Sequence, residues 1–149
     1  MKKLYLFINI FIISLFVTQT AFSAKSNFFD KGRELYEKKE FEKSKIFFER
    51  DLVFNPKNEK SYLYLAKIFN EINNEEELEI NLNNVLLLDP QNDEAIYMLT
   101  LLKIKQSDYN QAKELIKQFI LTCKSFCSKK TEIQKKLKKL TPENAKNND

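Results

Sequence analysis

Cys123 and Cys127 are the only cysteines in the chain, and their type and spacing come nearest to chemistry. Two thiols can form a structural bridge, exchange as a redox dithiol, or join a metal site. The spacing is Cys-x-x-x-Cys, not Cys-x-x-Cys, and no βαβ pattern surrounds it, which counts against a thioredoxin-like redox pair. Zinc would need further Cys or His ligands, and the chain has no His. The same absence removes the usual general base and the commonest metal ligand. A single Gly leaves no loop that could cradle phosphate. Carboxylates are many, but they fall on helix faces where charge is normally solvated, and nothing singles out a catalytic pair. The expectation is a chain with no catalytic residues, no cofactor and no metal, hence not an enzyme.

An even pair of cysteines most simply forms a disulfide if the chain reaches an oxidising compartment. The N-terminus supplies a route. Met1-Lys2-Lys3 is a short basic region, Leu4 to Val17 is apolar apart from Asn9 and Ser14, and Thr18 to Ala24 is polar with small residues. This is the pattern of a bacterial secretory signal. Small residues at Ala21 and Ser23 place cleavage between Ser23 and Ala24, giving a signal over residues 1–23. The apolar run falls short of the ~20 residues that span a bilayer. The expected location is the periplasm; the alternative is an uncleaved inner-membrane anchor with the domain outside the cytoplasm. Four residues apart on a regular helix, two cysteines align poorly for a bridge. A helix break at Lys124-Ser125-Phe126 is therefore expected, and the bridge would staple the residues after the break to those before it.

What positions this pair is a run of helices. Gly occurs once, Pro three times and Trp never, which excludes the turn-rich β-sandwich and α/β classes, and apolar residues recur at helical spacing. One pattern is written repeatedly. Asn55-Pro56 closes a first copy and Asp89-Pro90 a second, with the prolines 34 positions apart. In the first copy, residues 25–58, a helix over about Ser26 to Lys38 carries Phe28, Gly32 and Leu35. After a turn at Lys39-Glu40, Phe41 opens a helix carrying Ser44, Phe47, Phe48 and Leu52. A mid-helix Gly costs ~1 kcal/mol and needs a packing reason. The second copy, residues 59–92, repeats the offsets with Tyr62, Leu65, Ala66 and Phe69, a turn at Asn73-Asn74, then Leu78, Leu82 and Val85. The third, residues 93–122, has Ile96, Leu99, Thr100 and Lys103, a turn at Ser107-Asp108, and then Tyr109-Asn110-Gln111-Ala112, Leu115, Ile116 and Phe119.

These three registered copies and the period-spaced prolines resemble the tetratricopeptide repeat (TPR) family. The resemblance covers about Ser26 to Thr122 and implies an all-α solenoid of three helix-turn-helix repeats with a C-terminal capping helix. Gly32 stands where the family needs a small residue for close helix approach. Lys31 and Asp51 depart from its apolar or small preference, and Leu78 and Phe119 are large where it prefers Ala. A buried carboxylate needs a partner, so Asp51 is expected to be partly exposed or beside a cation.

The resemblance also implies a concave groove lined by the first helix of each repeat, binding a peptide or protein segment. Its wall positions are Ser26, Phe29, Arg33, Tyr36 and Glu37 in the first repeat, and Lys60, Leu63, Lys67, Asn70 and Glu71 in the second. In the third they are Glu94, Tyr97, Leu101, Ile104 and Lys105. Members that bind chaperone tails carry Lys and Asn where this chain has Phe29 and Arg33, so that specificity is not implied.

From Ala24 to Thr122 there are 15 basic and 18 acidic residues, net −3; from Cys123 to Leu140 seven lysines face one Glu132, net +6. The basic character thus belongs to a last helix over Ser128 to Leu140, with Ile133, Leu137 and Leu140 on one side. Residues 123–140 read as disulfide turn and cap, since solenoids need a wet outer end; residues 141–149 read as a disordered tail. The function expected is a non-catalytic adaptor in the bacterial envelope with a protein or peptide partner and no nucleic acid. The alternative is a membrane-surface module making weak contact with anionic lipid through the Lys-rich helix. Oligomeric state is left open.

Overall fold

The computed structural model describes residues 27–140. The export segment, its cleavage site at Ser23 and Ala24, Ser26 and the tail from 141 lie outside them. Among the described residues there are seven α-helices and no strand. They are α1 (Phe28–Glu37), α2 (Phe41–Phe54), α3 (Glu59–Glu71), α4 (Glu75–Leu88), α5 (Asp93–Lys105), α6 (Tyr109–Thr122) and, after a 3-10 turn at Cys127–Lys129, α7 (Lys130–Leu140). α1 packs on α2, α3 on α4 and α5 on α6; α2 then stacks on α3 and α4 on α5, and α7 closes the end against α6 and α5. This is the expected all-α solenoid of three helix pairs and a cap.

The period is visible in the backbone. The only non-Gly residues with positive φ among those described are Lys39 (61°), Asn73 (57°) and Ser107 (62°), each 34 residues from the next. Each ends a first helix with the same two bonds. The Glu40 N–H donates to Leu35 O at 2.9 Å and the Lys39 N–H to Tyr36 O at 2.8 Å; the pairs recur as Asn74 to Phe69 and Asn73 to Asn70, then as Asp108 to Lys103 and Ser107 to Ile104. A left-handed residue past the helix end satisfies carbonyls that the helix leaves without partners. The expected turns fall at these positions. Asn58, Asn74, Asn92 and Asp108 cap helix starts by accepting from backbone N–H groups of Lys60, Glu77, Ala95 and Gln111.

The core repeats likewise. Gly32, Ala66 and Thr100 occupy one register and are buried, as are Phe48, Leu82 and Ile116 in another. A Cβ on Gly32 would lie 2.9 Å from the Phe48 ring, and Ser44 Oγ donates to the Gly32 carbonyl at 2.8 Å. The small residue is therefore required by the approach of α2 to α1. Asp51 corrects the expectation of partial exposure: it is 1% exposed. Its carboxylate accepts from Asn55 Nδ2 (2.9 Å), Asn58 Nδ2 (2.6 Å) and Ser61 Oγ (2.6 Å), two amides and a hydroxyl. One repeat on, the Asp51 and Ser61 positions hold Val85 and Ala95, both fully buried. The first junction is thus polar and the second apolar, at the same place. Lys103, in the register of Leu35 and Phe69, is also buried, and its ammonium bonds Glu79 and Gln106.

Candidate functional site

The first helices carry their apolar residues in excess of what the hairpin core uses, and the surplus lines a concave side. In the third repeat it opens into a cleft of about 690 Å³ between α3 and α5. Its floor is Phe69 and Leu78 from the second repeat and Tyr97, Met98, Leu101 and Ile104 from α5. Polar groups stand at the rim: Asn70, Asn73, Glu75, Glu94 and Lys105. Phe126 from the cysteine turn and Lys136 from α7 form the far wall. A mostly apolar concavity with a few placed charges suits a side chain or short segment of a partner.

Of the residues expected to line a groove, Asn70, Glu94, Tyr97, Leu101, Ile104 and Lys105 meet at this cleft, with Ile104 only 5% exposed at its base. The others lie elsewhere. Phe29 and Tyr36 are in an aromatic cluster: Phe29 meets Phe48 and Tyr64 at 5.7 and 5.8 Å, and Tyr36 meets Phe41 and Tyr64 at 5.5 and 5.2 Å. Tyr64 stacks on Phe48 at 4.9 Å and fills the space between the first two repeats. Leu63 is half-buried against the core. Arg33 is exposed, 3.7 Å from Asp30. Lys67 pairs with Glu94 at 2.8 Å and lies 5.1 Å over the Tyr64 ring. The open wall thus spans two repeats, because aromatic side chains occupy the first.

Charges at the rim are paired within the chain. Lys105 meets Glu75 at 2.6 Å, and Glu94 is held by Lys67. Tyr97 also holds the cap: its hydroxyl donates to Glu132 of α7 at 3.2 Å, and its ring meets Phe119 and Phe126 at 6.2 and 5.9 Å. Burial, and then the Glu132 charge, push the Tyr97 hydroxyl above its ordinary pKa. Glu132 is held below the usual range by its bond to Lys129.

The cysteine turn is built as expected and anchored by a residue that sequence reasoning missed. Cys123 and Cys127 are bridged with Cα atoms 5.2 Å apart. Across the loop, the N–H groups of Lys124, Ser125 and Phe126 all donate to Asp93 Oδ2, at 2.7, 2.6 and 2.9 Å. Burial acts to raise the Asp93 pKa, but bonds from Phe126, Lys124 and Ser125 prevail and hold it below the ordinary value. Asp93 opens α5, so one carboxylate ties the start of the third repeat to the turn that ends it. The only signal was an acidic residue just after a helix cap, which ordinarily means a dipole contact. Phe126 and Lys136 were missed because nothing local shows that the cap reaches the cleft.

No family model matches the sequence, and no curated protein matches it. Solved structures do. The chain is similar to the Arabidopsis OM64 TPR domain, with TM-score 0.70, 19% identity, 79% of this chain and 97% of that one covered. It is similar to the first TPR of Spaghetti (RPAP3) bound to the HSP90 peptide SRMEEVD, with TM-score 0.67, 12% identity and coverage of 76% and 92%. It is also similar to the Sgt2 TPR domain from Aspergillus fumigatus, with TM-score 0.67, 17% identity and 83% of each chain covered. At such identities the likeness bears on architecture, and the fold of this chain is that of a tetratricopeptide repeat domain.

Proposed function

We propose that the chain is a non-catalytic interaction module of the bacterial envelope that binds a peptide or protein segment in the concave cleft. The observation that carries this is the cleft itself: an apolar floor of Tyr97, Met98 and Leu101 left uncovered among the described residues, rimmed by fixed charges. A similar fold holds an HSP90 peptide in the Spaghetti structure. The partner proposed for this chain differs from an acidic chaperone tail. The first-repeat positions that would hold a terminal carboxylate carry Phe29, packed among aromatics, and Arg33, beside Asp30. An apolar or amphipathic segment fits the floor better. The envelope setting rests on the N-terminal export pattern and on the bridged cysteines, which suit an oxidising compartment.

The test is in-cell photocrosslinking from Met98 and Leu101, followed by mass spectrometry of the envelope fraction. One or a few proteins are expected, lost with Leu101→Glu, on a chain whose N-terminus is Ala24. Recovery of no protein from either position, or crosslinks indifferent to Leu101→Glu, overturns the cleft reading. A chain retained in the cytoplasm overturns the setting.

A further inference from the structure

The third repeat ends on a reversible bond where the first two end on proline. Pro56 and Pro90 are one period apart, and the next position in that register is Lys124, the first residue inside the cysteine bridge. A proline stop is permanent. A disulfide stop opens on reduction, and this one is within reach of a reductant: Cys127 is exposed and Cys123 half-buried.

What the bridge holds is part of the cleft. Phe126 lies between the two cysteines, its ring meets Tyr97 of the floor at 5.9 Å, and it lines the far wall. Its place depends on the curl of the turn. The N–H groups of Lys124, Ser125 and Phe126 converge on one oxygen of Asp93, which requires residues 124–126 to stay tightly wound. Neither Gly nor Pro stands in the loop to favour that winding, so the bridge at its base supplies the restraint. Closing so short a loop covalently favours the wound form by roughly thirtyfold over the free dithiol. α7 has an anchor of its own in the fully buried Ile133, so the reduced chain stays folded and loosens first at the turn, and with it at Phe126.

We propose that the Cys123–Cys127 bridge is a redox gate on the cleft. Oxidised, it sets Phe126 as the far wall; reduced, the wall swings away and the cleft holds an apolar occupant less tightly. The gate rests on the cleft being the binding site. The bridge is the target of an external protein dithiol, not the source of one. A thiolate of that dithiol attacks the exposed Cys127 Sγ, the S–S bond breaks, and Cys123 leaves as a thiolate and takes up a proton. The second thiol of the reductant, as thiolate, then attacks its own sulfur in the mixed disulfide and releases Cys127, which is protonated in turn. The reductant ends as a disulfide, and its two electrons and two protons end on Cys123 and Cys127.

Met98 lies in the cleft and the only other methionine is Met1, so an isotope-labelled methionine methyl, read by NMR, reports on the cleft directly. The full chain is titrated with the uncharged apolar dye N-phenylnaphthylamine, oxidised and after reduction by dithiothreitol, and the dissociation constant is taken from the Met98 resonance. Expected is binding roughly fivefold weaker in the reduced chain, since apparent affinity falls with the fraction of chains whose wall is in place. Cys123→Ser combined with Cys127→Ser should bind as the reduced chain does and ignore dithiothreitol. Phe126→Ala, its bridge intact, should also bind weakly and show no redox step. By linkage, saturating dye should shift the equilibrium of the bridge with dithiothreitol toward the disulfide by the same factor. Equal affinity in both redox states overturns the gate and leaves the cleft standing. A redox step that survives in Phe126→Ala overturns it too, because the ring is then not the link, as does loss of the helical circular dichroism signal on reduction, which marks general unfolding. Dye that leaves the Met98 resonance of the oxidised chain unmoved overturns the cleft reading and the gate with it.

Discussion

Asp51 is the residue whose environment most constrains substitution. Its carboxylate is buried among donors that include Asn55, Asn58 and Ser61, and Ser61 is itself fully buried. Removing either partner leaves the other short of a bond in a dry place, which costs ~1–3 kcal/mol. The neighbouring repeat shows a different solution, Val85 with Ala95. Asp51→Val alone is thus expected to destabilise by ~2 kcal/mol, and adding Ser61→Ala to recover at least ~1 kcal/mol of it. Urea denaturation of the two singles and the double measures the coupling; simple additivity would show that the two groups do not act together. Gly32 is the second such residue. Ala would gain ~1 kcal/mol of helix propensity, yet its Cβ meets a Phe48 ring that is 0% exposed and cannot withdraw. Gly32→Ala is expected to lose stability, by ~1 kcal/mol net, and Gly32→Val to lose more.

At the scale of elements, the third repeat ends by other means than the first two. Asn55-Pro56 and Asp89-Pro90 stop their helices through proline sterics. α6 is followed instead by a bridged turn held on Asp93. Asp93→Ala removes three charge-assisted bonds and is expected to undock α7, raising hydrogen exchange over residues 130–137 while α1 to α4 keep their protection. Reducing the bridge should act on the same amides and lower stability by ~2 kcal/mol. Exchange rising uniformly through the chain would contradict a locally anchored cap. The turns offer the opposite kind of change. Lys39 sits at φ 61°, where a side chain is strained and Gly is not. Lys39→Gly is expected to raise the unfolding free energy by ~0.5–1 kcal/mol, read by thermal melts; Asn73, which tolerates this conformation, should gain less.

For the molecule as a whole, acid sensitivity follows from two junction carboxylates. The Lys103 bond, against opposing burial, sets Glu79 below its ordinary 4.5. Burial opposes the charge of Asp93 too, but the backbone bonds of the cysteine turn keep it below its ordinary 3.8. A carboxylate with a depressed folded-state pKa contributes stability that is fully present above its unfolded value and is lost as pH falls through the folded one. Denaturant midpoints should therefore be level near neutrality and fall below about pH 4.5, with Asp93→Asn flattening part of that fall. A midpoint that rises on acidification would refute the assignment.

The architecture was legible in the order of residues alone. Helical spacing, one Gly at a helix crossing, two prolines and three turns at a fixed period leave few folds open, because each is a local requirement repeated. The break between the cysteines was legible too, since a regular helix misaligns their side chains. Tertiary packing settled what no local pattern encodes. Tyr64 fills the first-repeat wall that a family groove would leave open, Asp93 finds the turn three helix ends away, and Asp51 is buried because Asn58 and Ser61 come to it across the repeat junction. Such outcomes depend on which side chains from distant positions meet in one small volume. A periodic sequence fixes where the walls stand, and the packing between repeats decides which of them remains open.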